Sequence, residues 1–244
     1  MADKPTVEKS GVEPPFEYIG NELELFLHAE NWKRYVAKRL CRYIKGTVLE
    51  VGAGLGANSP YLYRDNLQQF VSLEPDPKLC DQFRQRQMSG LIPAKCELLQ
   101  GTLRDCDPNK KFDTILYLDV LEHIEQDATE VSLAMERLRP QGCLVVLCPA
   151  HNWLYSPFDD AIGHFRRYNK LMYRKLSVRK PLRIEYLDSI GLLASLANRM
   201  LLKQPYPSEK QIRLWDRVFV TLSKAIDPIS FHRFGKSVVG VWRV

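Results

Sequence analysis

The chain has no C-x-x-C pair, no low-complexity tract and no internal repeat of roughly 20–50 residues. It also has no apolar run near the ~18 residues that a membrane-spanning helix needs. Its six cysteines (Cys41, Cys80, Cys96, Cys106, Cys143 and Cys148) are scattered and read as reduced structural thiols of a cytoplasmic protein. The first stretch, MADKPTVEKSGVEPP, lacks both an apolar core and an Arg-rich amphipathic pattern, so neither a signal nor a transit peptide is expected. Residues 1–20 read as a short polar tail.

What is present is ordinary for a globular protein: 45% hydrophobic and 26% charged residues over a length of 244. That length suits one α/β domain with an extension and a sizeable core. The net charge of +6 is mild but uneven. Between Ala161 and Ile184 lie eight Lys/Arg and no acidic residue. Such a segment either faces an anionic substrate, a phosphate or a lipid headgroup, or is a solvated helix face.

Along the chain, Trp32, Tyr35, Val36, Leu40, Tyr43 and Ile44 recur at helical spacing, which predicts an N-terminal helix over residues 21–45. Short apolar runs then predict strands at Val48–Val51, Phe70–Leu73, Glu97–Gln100, Thr114–Leu118 and Leu144–Leu147. Helical segments such as Lys78–Met88 and Asp127–Leu138 separate them. Continuous apolar strands alternating with helices indicate βαβ units and a parallel sheet covered on both faces. RIEYLDSI reads as a sixth strand and KSVVGVWRV as a closing one, with a helical insertion from about Leu192 to Ala225 between them. The division is a cofactor-binding core over 46–150 and a substrate-side segment over 151–244.

TVLEVGAGLGANSPYL, Thr47 to Leu62, carries the first chemical signal. A strand that ends in Gly52 and turns into a helix exposes backbone N–H groups, and glycine permits both a positive φ and a close ligand approach. Dinucleotides and other adenosine cofactors both use this turn. The dinucleotide fingerprint wants G-x-G-x-x-G, yet the glycines stand at 52, 54 and 56 and position 57 is alanine. Glu50, at the strand end, would repel a pyrophosphate but attract an ammonium. Glu74, closing the second strand, can accept both hydroxyls of a ribose through charge-assisted bonds of ~1.5–3 kcal/mol.

VLEVGAGLG, SLEPD, FDTILYLDVLEHIEQD and LRPQGCLVVLCPA occur in order and resemble the core motifs of class I S-adenosylmethionine-dependent methyltransferases. The resemblance extends to the broad group that includes ubiquinone-biosynthesis methyltransferases and covers residues 46–150. It implies an α/β, Rossmann-like seven-stranded sheet with the last strand antiparallel, and S-adenosyl-L-methionine as cofactor with S-adenosyl-L-homocysteine as product. Carried onto this sequence, it places Glu50, Gly52, Ala53, Gly54, Gly56 and Asn58 at the methionine part of the cofactor. It puts Glu74 and Pro75 at the ribose and Asp119 along the methionine or sulfonium side. Where the family often has an acidic residue to read the adenine amino group, this chain has Thr102, followed by Leu103.

Methyl transfer from a sulfonium is an in-line displacement, so alignment supplies much of the catalysis, ~7–11 kcal/mol. A base for a hydroxyl or protonated amine adds roughly 10²–10⁴-fold. Two stretches beyond the fourth and fifth strands can provide it. DVLEHIEQD carries Asp119, Glu122 and His123; PAHNWLYSPFDDAIGHFRRYNK carries His151, Tyr155, Asp159, Asp160, His164, Arg166 and Arg167. His123 and His151 are the candidate bases, with His164 behind them, and Tyr155, His164, Arg166 and Arg167 are candidate substrate contacts; the histidines have an alternative as loop hydrogen bonds and the arginines as ion pairs to Asp159 or Asp160. Asp119-x-x-Glu122-His123, with His164 downstream, also resembles the metal set of the small-RNA 3′-terminal 2′-O-methyltransferases. Position 119 is Asp where that set has Glu, and L-E-H-I also occurs in metal-free relatives, so no metal is expected.

The leading expectation is a methyltransferase acting on O or N of a small molecule that is anionic or partly hydrophobic. Leu193, Leu196, Trp215 and Phe219 of the insertion suit a hydrophobic acceptor part, or pack the insertion on itself. An RNA acceptor has only the basic segment in its favour, without the aromatic stacking platform of an RNA-binding module; a lipid or glycan acceptor is a further alternative. No DNA partner is expected. From other classes, a NAD-dependent oxidoreductase is disfavoured by the glycine spacing and Glu50, and a non-catalytic cofactor-binding protein stays open.

Overall fold

The computed structural model describes residues 17–20, 22–199 and 207–244. The expectations for residues 1–16, for Asn21 and for residues 200–206 of the helical insertion lie outside the described residues. Two helices come first, α1 (Glu22–Phe26) and α2 (Glu30–Leu40). Then β1 (Thr47–Val51), α3 (Ser59–Leu62), β2 (Gln69–Glu74), α4 (Pro77–Met88), β3 (Cys96–Gln100), β4 (Phe112–Leu118), α5 (Asp127–Glu136) and β5 (Leu138–Pro149) alternate. After short helices α6 (Pro157–Ala161) and α7 (Lys170–Lys175) come β6 (Arg183–Leu187), α8 (Ser189–Ala197), α9 (Glu209–Leu214), α10 (Val220–Ile229) and β7 (Ser237–Arg243). Trp215–Phe219 is a π-helical turn joining α9 to α10.

The strands form one seven-stranded sheet in the order β3-β2-β1-β4-β5-β7-β6. Strands β1 to β5 pair in parallel, and β7 runs antiparallel to both β5 and β6, as the motifs implied. Because β1 lies between β2 and β4, the chain reverses its direction of travel across the sheet there, and ligands of open α/β sheets bind outside the carboxyl ends at such a point.

Alternate residues of each strand feed opposite layers. On one face Val48, Leu116 and Val145 pack with Trp32, Val36 and Leu40 of α2 and Val220 of α10; on the other Leu49, Ile115 and Val146 pack with Val131, Ala134, Tyr173 and Trp242. The cysteines are all unpaired, and all but Cys41 are buried.

Three boundaries differ from the sequence reading. The expected single helix over 21–45 is two. Lys33 Nζ is buried and donates to the carbonyls of Phe26, Leu27 and Ala29, finishing α1. The Asp216 carboxylate accepts from the backbone N–H groups of Asn31 and Trp32 and so caps α2 from 185 and 184 residues away. The sixth strand stops at Leu187 instead of running through DSI. Asp188 is left-handed (φ 65°) and its side chain accepts from Gly191 N–H at 3.0 Å, starting α8. Finally, β5 begins six residues earlier than Leu144, at Leu138.

Candidate active site

The glycine turn follows β1. Gly52, Gly54 and Gly56 all have positive φ, 67°, 56° and 72°. A Cβ on Gly52 would come within 2.6 Å of Val120, and one on Gly56 within 2.7 Å of Phe83. At Gly54 a Cβ would meet Leu23 in ordinary contact at 3.6 Å, so the positive φ and not crowding is what favours glycine there. The Gly54 N–H donates to Glu74 Oε2 at 2.7 Å, and Glu74 Oε1 accepts from Asp76 N–H at 2.9 Å. Burial raises the Glu74 carboxyl above its ordinary value, and these two N–H groups oppose that.

Glu50 lies beneath the turn, accepting from Ser59 Oγ at 2.6 Å and Ser72 Oγ at 3.3 Å. Burial pushes its carboxyl up to about 7 against those hydroxyl bonds. Ala53 N–H donates to Leu73 O, pinning the turn to β2, and Asn58 precedes α3, its carbonyl accepting from Tyr61 and Leu62. Pro75 follows Glu74 at the end of β2. Beyond β3, Thr102 donates through both N–H and Oγ1 to Asp105 Oδ2 at 2.7 Å, while Leu103 is fully buried. An exposed carboxylate is thus fixed at Asp105, three residues past the position where the sequence reading looked for one.

The loops after β4 and β5 meet. Asp119, with φ 57°, is exposed at the end of β4, and desolvation by the surrounding protein, opposed by His164 and Lys236, raises its carboxyl to about 6. Glu122 is completely buried, and among the described residues neither carboxylate oxygen has a nitrogen or oxygen hydrogen-bond partner. Burial first, then repulsion from Asp119, drives its carboxyl well above the usual range. The rings of His123 and His164 stand edge to face, 4.6 Å between centroids. Burial, with the neighbouring His164, lowers His123 to about 4, so its imidazole is uncharged.

His164 bonds through Nδ1 to Asp159 Oδ1 at 2.9 Å. Arg167 grips the same carboxylate bidentately, at 2.8 and 2.9 Å, and Ser156 adds a bond at 2.9 Å. Burial alone would raise Asp159, but the bonds from His164 and Arg167 outweigh it and hold the carboxyl well below the usual carboxylate range. An ionised acceptor at Nδ1 engages that ring nitrogen, so Nε2 is the nitrogen left for a substrate. That nitrogen is 3.9 Å from Glu122 Oε1. Ligand atoms of Glu122, His123 and His164 all lie within 4.8 Å of one another, so these three residues are where a divalent cation would be held.

The other expected residues are spoken for. His151, also at positive φ (66°), bonds to Gly235 O at 3.0 Å and is stacked between Trp153 and Tyr186. Burial lowers its pKa. Arg166 is tied to the carbonyls of Ile124 and Glu125 and to Asp127, and Tyr155 donates to Asp160 and to the carbonyl of His164. The arginines brace the loop instead of offering free cations to the cleft.

Tyr18 has no counterpart in the sequence reading, which put it in a polar tail. Its ring packs edge-on against His123 at 5.5 Å, its N–H donates to Asp76 Oδ2 and its hydroxyl donates to Glu22. Burial and the carboxylates of Glu22, Glu122 and Glu74 raise its phenol far above the ordinary value. The isolated aromatic pair in PPFEY was the available signal.

Residues 48–142 match the model of a family described as "Methyltransferase domain". No curated protein sequence matches the chain. Among solved structures, coclaurine N-methyltransferase bound to N-methylheliamine and SAH superposes with a TM-score of 0.60 at 10% identity, over 87% of this chain and 72% of that one. The N-methyltransferase NodS from Bradyrhizobium japonicum WM9, in complex with S-adenosyl-l-homocysteine, gives 0.56 at 14% identity, over 88% and 87%. The [4+2]-cyclase SpnF gives 0.57 at 13% identity, over 86% and 80%. At such identities the likeness is one of fold.

Proposed function

We propose that the protein is a class I S-adenosylmethionine-dependent methyltransferase, a reading supported by the match of residues 48–142 to the methyltransferase-domain model and by the fold, and that its acceptor is a small molecule methylated on oxygen or nitrogen. The observation that carries this reading is the bond from Gly54 N–H to Glu74 at 2.7 Å, across a turn in which Gly52, Gly54 and Gly56 all take a positive φ. In it, Gly52–Gly56 and Asn58 border the methionine part of the cofactor, Glu50 draws its ammonium, and Glu74 and Pro75 take the ribose. Thr102, Leu103 and the Asp105 carboxylate border the adenine. Asp119 faces the sulfonium.

The acceptor approaches from the side of His164. Nε2 of His164 takes the proton from the acceptor O–H or N–H as the O or N attacks the methyl carbon. The carbon–sulfur bond breaks with its electron pair going to sulfur, and S-adenosylhomocysteine leaves. Asp159 holds His164 in the tautomer this needs and stabilises the imidazolium that forms; Arg167 holds Asp159. Neutral His123 and Tyr18 keep water from that side. His151 acts on loop geometry and not on the proton. In a second reading, favoured by their convergence, Glu122, His123 and His164 would hold a divalent cation, which would lower the acceptor's pKa in place of a base.

Calorimetric titration with S-adenosylmethionine, S-adenosylhomocysteine and NAD⁺ tests the proposal. Micromolar binding of the two adenosyl compounds alone, followed by labelled methyl transfer in an acceptor screen, is the expected result. Binding of NAD⁺ alone would return the site to the oxidoreductase class.

A further inference from the structure

The last two helices turn an apolar stripe outward. Leu214, Val218, Leu222 and Ile226 follow one another at four-residue steps from the end of α9 through the π-turn into α10, and Ile229 and Phe231 extend the line. All six are exposed, from 37% at Ile226 to 78% at Phe231. Their partners on the inward face are already buried: Ile212, Val220 and Ser223 pack into the protein. The stripe is therefore surplus to the fold, and contiguous exposed apolar surface marks an interaction site.

The exposed charges of this stretch that lack an ion-pair partner among the described residues share one sign. Lys210, Arg217 and Arg233 are exposed beside the stripe, and none is paired with a carboxylate among the described residues. The two aspartates of this stretch point inward. Asp216 caps α2, and Asp227 accepts from Tyr35 and from the N–H groups of Asp188 and Ser189. Glu209 is the one exposed acid, and it is bonded to Arg213 at 2.7 Å. Folding has thus removed the negative charges from the outer face and kept the positive ones. A second copy of the chain on this face would set like charges against each other around a two-fold axis. A surface of anionic headgroups over hydrocarbon satisfies both the cations and the apolar side chains.

We propose that the α9–α10 face is a membrane-surface contact, lying in the interface of an anionic bilayer with Leu214, Val218, Leu222 and Ile226 inserted and Lys210, Arg217 and Arg233 at the phosphates. The contact is distinct from the methyl-transfer cleft and does not depend on the identity of the acceptor.

Flotation of the full chain with unilamellar vesicles tests it, comparing phosphatidylcholine alone with phosphatidylcholine containing phosphatidylglycerol. Binding to the anionic vesicles should exceed that to the neutral ones at least about tenfold, and should fall as salt is raised. Val218→Glu and Leu222→Glu together should abolish binding, and Arg217→Glu should weaken it severalfold, with S-adenosylhomocysteine affinity unchanged as proof that the variants fold. Equal binding to both vesicles, or full binding by the Val218→Glu/Leu222→Glu variant, would overturn the proposal. So would concentration-dependent dimerisation abolished by the same pair of substitutions in a chain that ignores vesicles, which would assign the face to a second copy.

Discussion

Nδ1 of His164 lies 2.9 Å from Oδ1 of Asp159, whose two oxygens are at the same time gripped by Arg167. This arrangement separates orientation from chemistry: the carboxylate faces one ring nitrogen and leaves the other for a substrate. Replacing Asp159 by Asn keeps the shape but removes the charge that selects the tautomer. The variant is expected to lose roughly 10²–10⁴-fold in kcat, with S-adenosylmethionine affinity unchanged by calorimetry. Turnover within threefold of the parent would leave alignment alone as the source of rate.

Glu74 is fixed by Gly54 and Asp76 N–H before any cofactor arrives. Its replacement by Ala removes the carboxylate that would accept the ribose hydroxyls, a loss of about 1.5–3 kcal/mol, or roughly 10- to 150-fold in affinity. Titration of Glu74→Ala, with circular dichroism to show an intact fold, measures this directly. Unchanged affinity would move the ribose elsewhere.

Glu50 links pH to both stability and binding, in opposite directions. Its carboxyl sits at about 7 in the folded protein against 4.5 when exposed. Over that window the folded state holds more protons than the unfolded one, so this group's contribution is full below the lower value and is lost as pH rises through about 7. An ammonium-bearing ligand prefers the ionised form, so its affinity should rise across the same interval. Thermal melts and titrations of the parent and Glu50→Gln between pH 5 and pH 8 should show both slopes in the parent and neither in the variant. Parallel slopes in the two proteins would take Glu50 out of the account.

The cluster of Glu122, His123 and His164 gives metal removal a definite meaning. With His164 as the base, protein treated with EDTA and desalted should keep its turnover, and added Co²⁺ should produce no visible ligand-field band. Loss of activity restored by Mg²⁺ or Mn²⁺, with a Co²⁺ band that disappears in Glu122→Gln, would transfer the proton-releasing role to a cation.

The sheet was readable because its strands are buried on both faces, so Val48–Val51 and Thr114–Leu118 show as short, mostly apolar runs of strand length. The glycine turn was readable for a related reason: a positive φ at 52, 54 and 56 leaves glycine as the residue that fits. What the sequence hid was action at a distance. Nothing within a helical window shows that Asp216 caps α2 or that Lys33 closes α1. The same holds at the site. His123 and His164 were both visible as histidines, but 41 positions separate them, and only the meeting of two loops brings their rings to 4.6 Å. His151 had equal standing in the sequence and differs in having its ring nitrogen bound to Gly235.

The insertion of β7 between β5 and β6 sets a schedule for synthesis. During translation β6 emerges some fifty residues before β7, the only strand it bonds to among the described residues, and must wait for it. Until then β5 presents a bare edge, and Ala150 N–H, which begins the loop to His164, lacks its acceptor on Lys236. The nascent chain can assemble β1 to β5 early, but the acceptor side of the cleft is fastened last. A stall of the ribosome within α10 would release an intermediate with an unpaired sheet edge, the kind of surface on which chains aggregate.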